Sequence, residues 1–214
     1  MKKTFFIAIL IMAAITAKAQ FYIGGSLGIY ENSAKNAQDK KVGFSYLNFS
    51  VAPELGYNLS EKLDIGFSLG IQTNNRKSYH FIPDEISSKI ISTGIGISPY
   101  VRYSFLKFGN FDILGKLAFN FTNSTSKFYD AVGNQNDERT STIIGANIAP
   151  LLFYNLSDRI ALYTQLNFLG LDCSKTTEKT DGDKTGSSTV FNFGADTDNA
   201  VTFNQIRIGF VYKF

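Results

Sequence analysis

From Phe21 to the C-terminus the chain is ruled by a period of two. Apolar residues recur at every second position in segment after segment, and the positions between them are small or polar. On a β-strand successive side chains point to opposite faces, so each segment carries one apolar and one polar face. Eight segments show the pattern, over 21–29, 47–57, 63–71, 91–105, 111–121, 144–154, 160–168 and 206–214. The third sets Leu63, Ile65, Phe67, Leu69 and Ile71 against Asp64, Gly66, Ser68 and Gly70. The last sets Ile206, Ile208, Phe210, Tyr212 and Phe214 against Arg207, Gly209, Val211 and Lys213.

Connection lengths alternate. Short polar turns are expected near 59–62, 106–110 and 156–159. Long polar loops are expected over 31–43, 72–89, 122–140 and 170–204, with Val190-Phe191-Asn192-Phe193 extending a strand within the last. An even number of strands joined alternately by tight turns and long loops is the layout of an up-and-down membrane barrel. Three hairpins repeat one pattern: Pro53, Pro99 and Pro150 each stand four residues before Tyr57, Tyr103 and Tyr154. Proline donates no ladder hydrogen bond, so a bulge or kink is expected at each.

Alternation alone fits a soluble barrel as well; the character of the two faces separates the cases. No charged residue falls on the apolar face of the eight segments, in a chain that is 18% charged. The opposite face holds Glu54, Asp64, Arg102, Asp112, Lys116, Arg207 and Lys213 among glycine, serine, alanine and asparagine. A solvated exterior would be densely charged, whereas a crowded barrel interior is small and sparsely charged. Phe and Tyr gather at segment ends as an aromatic girdle does, although Trp is absent. The apolar face is therefore expected to look at lipid.

The N-terminus has the layout of a secretory signal peptide. Lys2 and Lys3 precede an apolar run, and Ala17 and Ala19 stand at −3 and −1 before Gln20. The run is shorter than the roughly 20 apolar residues that cross a bilayer as a helix. The expected division is a signal peptide over 1–19, cleaved between Ala19 and Gln20, and a barrel domain over 20–214. The 21 Lys and Arg, less Lys2, Lys3 and Lys18, then match the 18 Asp and Glu. A neutral mature chain offers no electrostatic footprint for nucleic acid. The lone Cys173 forms no intramolecular disulfide.

On these features the chain resembles the small outer-membrane β-barrels, meaning OmpA-like transmembrane domains and the "porin family" barrels common in Bacteroidetes. The signal peptide, the repeated strand–turn–strand units and the C-terminal run from Ile206 to Phe214 carry the resemblance. It implies an all-β, closed, antiparallel barrel of eight strands in the bacterial outer membrane. It also implies that Phe210, Tyr212 and Phe214 are read by the outer-membrane assembly machinery.

Glu54, Arg102, Lys116 and Arg207 share the interior at intermediate depth. An eight-stranded barrel leaves an interior just wide enough for side chains, and buried charges need partners. The four are expected to form a polar network that plugs the lumen; a gate is the competing reading. His80, the sole histidine, lies in a long loop without a recognisable nucleophile or second carboxylate nearby. Asp181-Gly182-Asp183 lacks the further carboxylates of a calcium loop. No catalytic set, cofactor or metal site is expected. The partners expected are outer-membrane lipid, the assembly machinery and an extracellular partner that the sequence does not identify.

The leading functional reading is a non-enzymatic barrel with a structural or surface-interaction role. A small passive, porin-like channel comes second. A lipid-modifying enzyme using His80 follows, and then a soluble ligand-binding barrel.

Overall fold

A computed structural model describes residues 20–35, 42–79, 86–166, 169–180, 183–195 and 206–214. The proposed signal peptide over 1–19, His80, Asp181 and Gly182 lie outside the described residues. The strands are β1 (Gln20–Lys35), β2 (Val42–Asn58), β3 (Leu63–Tyr79), β4 (Ile86–Phe108) and β5 (Phe111–Tyr129). They continue as β6 (Gln135–Asn155), β7 (Ile160–Leu166), β8 (Leu169–Thr180), β9 (Asp183–Ala195) and β10 (Ile206–Lys213). Consecutive strands pair antiparallel from β1 to β7. β10 then pairs with both β7 and β1, which closes a ring of eight. Closure leaves no free sheet edge within the ring, which is what a sheet surrounded by lipid requires.

β8 and β9 stand on top of this ring. β6 pairs with β7 through Leu151–Asn155 and with β8 through Arg139–Ile148, so β7 and β8 follow one another along a single neighbour. β9 returns along β8 as a hairpin.

Most of the stretches expected to be long loops are strand. β3 runs to Tyr79, β4 starts at Ile86, and β5 and β6 are joined by a short turn at Asp130–Asn134. The apolar alternation fades in these extensions, as in Gln72-Thr73-Asn74-Asn75-Arg76-Lys77, because both faces have left the lipid and meet water. Backbone pairing persists there on Thr and Ser, and Thr is a good strand former. Apolar periodicity marks the membrane-embedded part of a strand and not its wet continuation.

Two of the short turns are the same device. Leu59-Ser60-Glu61-Lys62-Leu63 and Leu156-Ser157-Asp158-Arg159-Ile160 each bond the first residue's N–H to the fifth residue's carbonyl, at 2.9 Å. In each the serine hydroxyl accepts the fifth residue's N–H at 3.1 Å. The third turn, between β4 and β5, uses Gly109 at φ 56°, a left-handed conformation that glycine adopts without a Cβ clash.

The expected bulges are absent at Pro53 and Pro99. Each proline keeps its register partner on the preceding strand, Gly25 and Phe67. Toward the following strand the ladder skips two residues and resumes unshifted, from Val51–Ile71 to Glu54–Ser68 and from Ile97–Phe121 to Tyr100–Ala118. The missing N–H therefore costs ladder bonds on one side and leaves the register unshifted. At Pro150 the break coincides with a real register change, where β6 passes from β8 to β7.

The polarity of the barrel is inverted relative to a soluble one. Ile29 and Ile95 are each 62% exposed and Phe210 53%, while Arg102 is 1% exposed and Glu54 6%. At the turn end aromatic rings meet in pairs, Phe21 with Tyr57, Phe111 with Tyr154 and Tyr212 with Phe214, at centroid distances of 5.0, 4.9 and 5.3 Å. An exposed apolar belt edged by aromatics matches the hydrocarbon and interfacial layers of a bilayer.

Candidate functional site

With the exterior committed to lipid, chemistry is confined to the lumen and to the projecting hairpins. The lumen is built from the inward positions of each strand, and its lower part centres on Arg102. This residue stands on β4 directly opposite Asp64 of β3 and Lys116 of β5. Arg102 Nη2 donates to Glu54 Oε2 at 2.6 Å, and both side chains are 1% exposed. Four rings surround the guanidinium: Tyr100 at 4.4 Å, Tyr163 at 5.3 Å, Phe153 at 5.5 Å and Tyr22 at 5.7 Å from its central carbon. The Tyr22 and Tyr100 hydroxyls share a hydrogen bond of 3.0 Å, and Arg102 Nη1 reaches Tyr22 Oη at 3.5 Å. A planar cation can pair edge-on with a carboxylate and lie against ring faces at once, which suits arginine better than lysine.

Register explains how three tyrosines fit into so narrow a space. Tyr22 stands opposite Gly56, Tyr100 opposite Gly66 and Tyr163 opposite Gly209. Each ring lies across its glycine, and a Cβ on any of the three would collide with it. Glycine is required at these positions by the close approach of a neighbouring ring.

Above the rings the lumen opens into a cavity of about 830 Å³. Lys116, Gln165 and Arg207 line its deeper part. Lys116 Nζ lies 4.4 Å from the Tyr100 ring, so the lysine sits on the upper surface of the cage. Along the wall Ser98 Oγ donates to Asn120 Oδ1 at 2.8 Å, and Asn120 Nδ2 donates to Asn147 Oδ1 at 2.9 Å.

Of the four residues expected to form one polar network, Glu54 and Arg102 are an ion pair. Lys116 adjoins them but meets a ring instead of a carboxylate. Arg207, opposite Gln165, makes no ion pair among the described residues. The strands bring all four to the lumen and arrange them as one pair and two separate cations. Phe210, Tyr212 and Phe214 are on or just beyond the closing strand, and the Phe214 N–H donates to the Phe21 carbonyl at 3.0 Å. Cys173 is exposed on β8. No cluster of metal-ligating side chains occurs among the described residues.

Tyr163 and Gln165 lie on the inward face of the seventh segment, where the apolar alternation marks only the lipid-facing residues. Tyr22, Tyr100 and Phe153 were visible on the inward faces without an evident role. The available signal was a tyrosine interrupting a face of Gly, Ser and Ala, with a glycine at the opposite position of the neighbouring strand.

A closed eight-stranded ring with an apolar exterior and buried charges inside is the architecture of the bacterial outer-membrane β-barrels, and this chain has that fold. No family model and no curated protein matches it. Among solved structures it is similar to a major outer membrane protein from Thermus thermophilus, at 15% identity and TM-score 0.52. That alignment covers 92% of this chain and 100% of the other. It also aligns with Neisserial surface protein A, at 14% identity and TM-score 0.40 over 92% of this chain and 99% of that one. The outer membrane protease OmpT of Escherichia coli aligns at 10% identity and TM-score 0.45, over 91% and 97% of the two chains. At these identities the likeness is one of fold.

Proposed function

We propose that this protein is a non-enzymatic outer-membrane barrel, closed to permeation in the lower part of its lumen, whose working surface is the set of hairpins beyond the membrane. The observation that carries the reading is the Glu54–Arg102 pair, fully buried and enclosed by four aromatic rings. A buried ion pair without its partner is strongly disfavoured. An ion crossing this level would have to displace both charges and at least one ring. Activity is thereby moved to the β3–β4, β5–β6 and β8–β9 hairpins, which face an extracellular partner. Phe191 and Phe193 are exposed on β9 and offer that partner apolar contact. Outer-membrane lipid covers the belt, and the assembly machinery reads Phe210, Tyr212 and Phe214.

Planar-bilayer recording on refolded protein tests the closed lumen. The expected result is no unitary conductance; reproducible steps would favour the small passive channel, for which the wide upper cavity is the supporting observation. Shortening the β8–β9 hairpin tests the surface role. A heat-modifiable, folded barrel that has lost adhesion or envelope protection is expected. An unchanged cell-surface phenotype with every hairpin shortened would overturn it.

A further inference from the structure

We propose that the upper lumen is a binding site for a small, soluble solute bearing an oxyanion, held by Lys116 and Arg207. The inference goes beyond the surface role, since it concerns the cavity above the cage. Neither proposal requires the other.

The charge arrangement is the first argument. Three cations enter the interior near this level, Arg102, Lys116 and Arg207, and Glu54 is committed to Arg102. Asp64 and Asp172 are the other interior carboxylates in the neighbourhood, and neither is in ion-pair contact with Lys116 or Arg207. Lys116 is 8% exposed with no carboxylate in ion-pair contact among the described residues. The Lys116 ammonium rests on the Tyr100 ring at the edge of the cavity with no carboxylate beside it among the described residues, and an ionisable group inside a membrane span is by default a functional position. An anion arriving from the cavity would supply the missing partner.

The walls supply the second argument. The Ser98–Asn120–Asn147 chain uses the Asn147 side-chain oxygen as an acceptor, which leaves the Asn147 amide N–H groups as donors on the cavity wall. Hydroxyl and amide groups around a cationic end suit a ligand with one anionic group and a polar body. Arg207 adds a planar fork that can hold an oxyanion through two parallel hydrogen bonds. The volume of about 830 Å³ lies within the roughly 300–1,000 Å³ of small-molecule sites. Asp172 lines the same cavity from β8 and opposes an anion electrostatically, so it sets an upper limit on affinity.

The test uses the full mature chain, refolded in detergent micelles, in equilibrium dialysis against radiolabelled inorganic phosphate, glucose 6-phosphate and glucose. Saturable binding of the two phosphate probes at one site per chain is expected, weakening as salt rises, with none for glucose. Lys116→Met and Arg207→Gln should each weaken binding at least tenfold while the heat-modifiable band of a folded barrel is retained. Asp172→Asn should strengthen it. If Lys116→Met does not fold, Arg207→Gln and Asp172→Asn decide the matter. Absence of saturable binding by both phosphate probes would overturn the proposal. So would binding that the Arg207→Gln change leaves intact, or glucose binding as tightly as its phosphate. A conducting barrel that still binds phosphate would refute the closed lumen alone.

Discussion

The lower and upper halves of the lumen are made by the same strands, and they differ in how tightly they are packed around their charges. Toward the short turns, Arg102 has a carboxylate, a phenol and four ring faces, and three tyrosines are seated on glycines. Toward the hairpins, Lys116 and Arg207 border open space, and the wall residues bond mainly to one another. A packed interior tolerates little change, whereas an open one tolerates substitution until a ligand is present. The lower half is therefore read as what holds the barrel together and the upper half as what remains available for binding.

Substitutions in the two halves can break this contrast. Glu54→Ala leaves Arg102 buried without its carboxylate and should cost about 3–5 kcal/mol in urea unfolding of the refolded barrel. Lys116→Met, on the strand directly opposite Arg102, removes a buried ammonium that has no ion pair among the described residues and should not destabilise the barrel in the same assay. Equal costs would erase the distinction between the halves. The exterior gives the next effect: Ile97→Arg places a charge in the apolar belt and should cost about 2–4 kcal/mol, measured in the same assay. A neutral result there would mean that this face does not meet lipid.

Glycine replacements sharpen the comparison further. Gly66→Ala forces the Tyr100 ring off its seat and should cost about 1–3 kcal/mol, as overpacking does. Gly70→Ala, on the same strand but in the upper half, brings a Cβ no nearer than 4.0 Å to the Gly96 carbonyl and should be close to neutral.

The smallest effect lies outside the membrane, in the β5–β6 turn. There Asp130 Oδ1 accepts the N–H groups of Asn134 at 2.8 Å and Val132 at 3.0 Å. The Asn134 N–H, first among these donors, holds the carboxyl below its ordinary range. A carboxyl held low in the folded state stabilises the turn above its unfolded pKa and loses that contribution as pH falls through the folded value. A carboxyl NMR titration should place Asp130 lower than a free aspartate, and Asp130→Ala should loosen this turn without disturbing the lumen.

Much of this was legible in the chain. The two-residue period identified each lipid-facing stretch, because lipid imposes a one-sided apolar demand at every turn of the strand. The uncharged exterior then assigned Glu54, Arg102, Lys116 and Arg207 to the lumen. The β8–β9 hairpin and the long extensions of β3 to β6 were not legible, because water accepts polar residues on both faces and leaves no pattern. Nor was the division of the four charged residues, since alternation fixes the face a side chain takes and says nothing of its partner across the barrel.

The amino-acid sequence by itself determined a closed sheet of eight alternating segments and which way the side chains of those segments face, since these follow from local periodicity and from the rule that lipid leaves no backbone group unpaired. Tertiary structure alone decided that Glu54 meets Arg102, that three tyrosines find glycines opposite them, and that Lys116 and Arg207 are left facing a cavity. Those outcomes depend on register and on distances across the ring, between residues as far apart as Tyr22 and Tyr100, which no local pattern encodes.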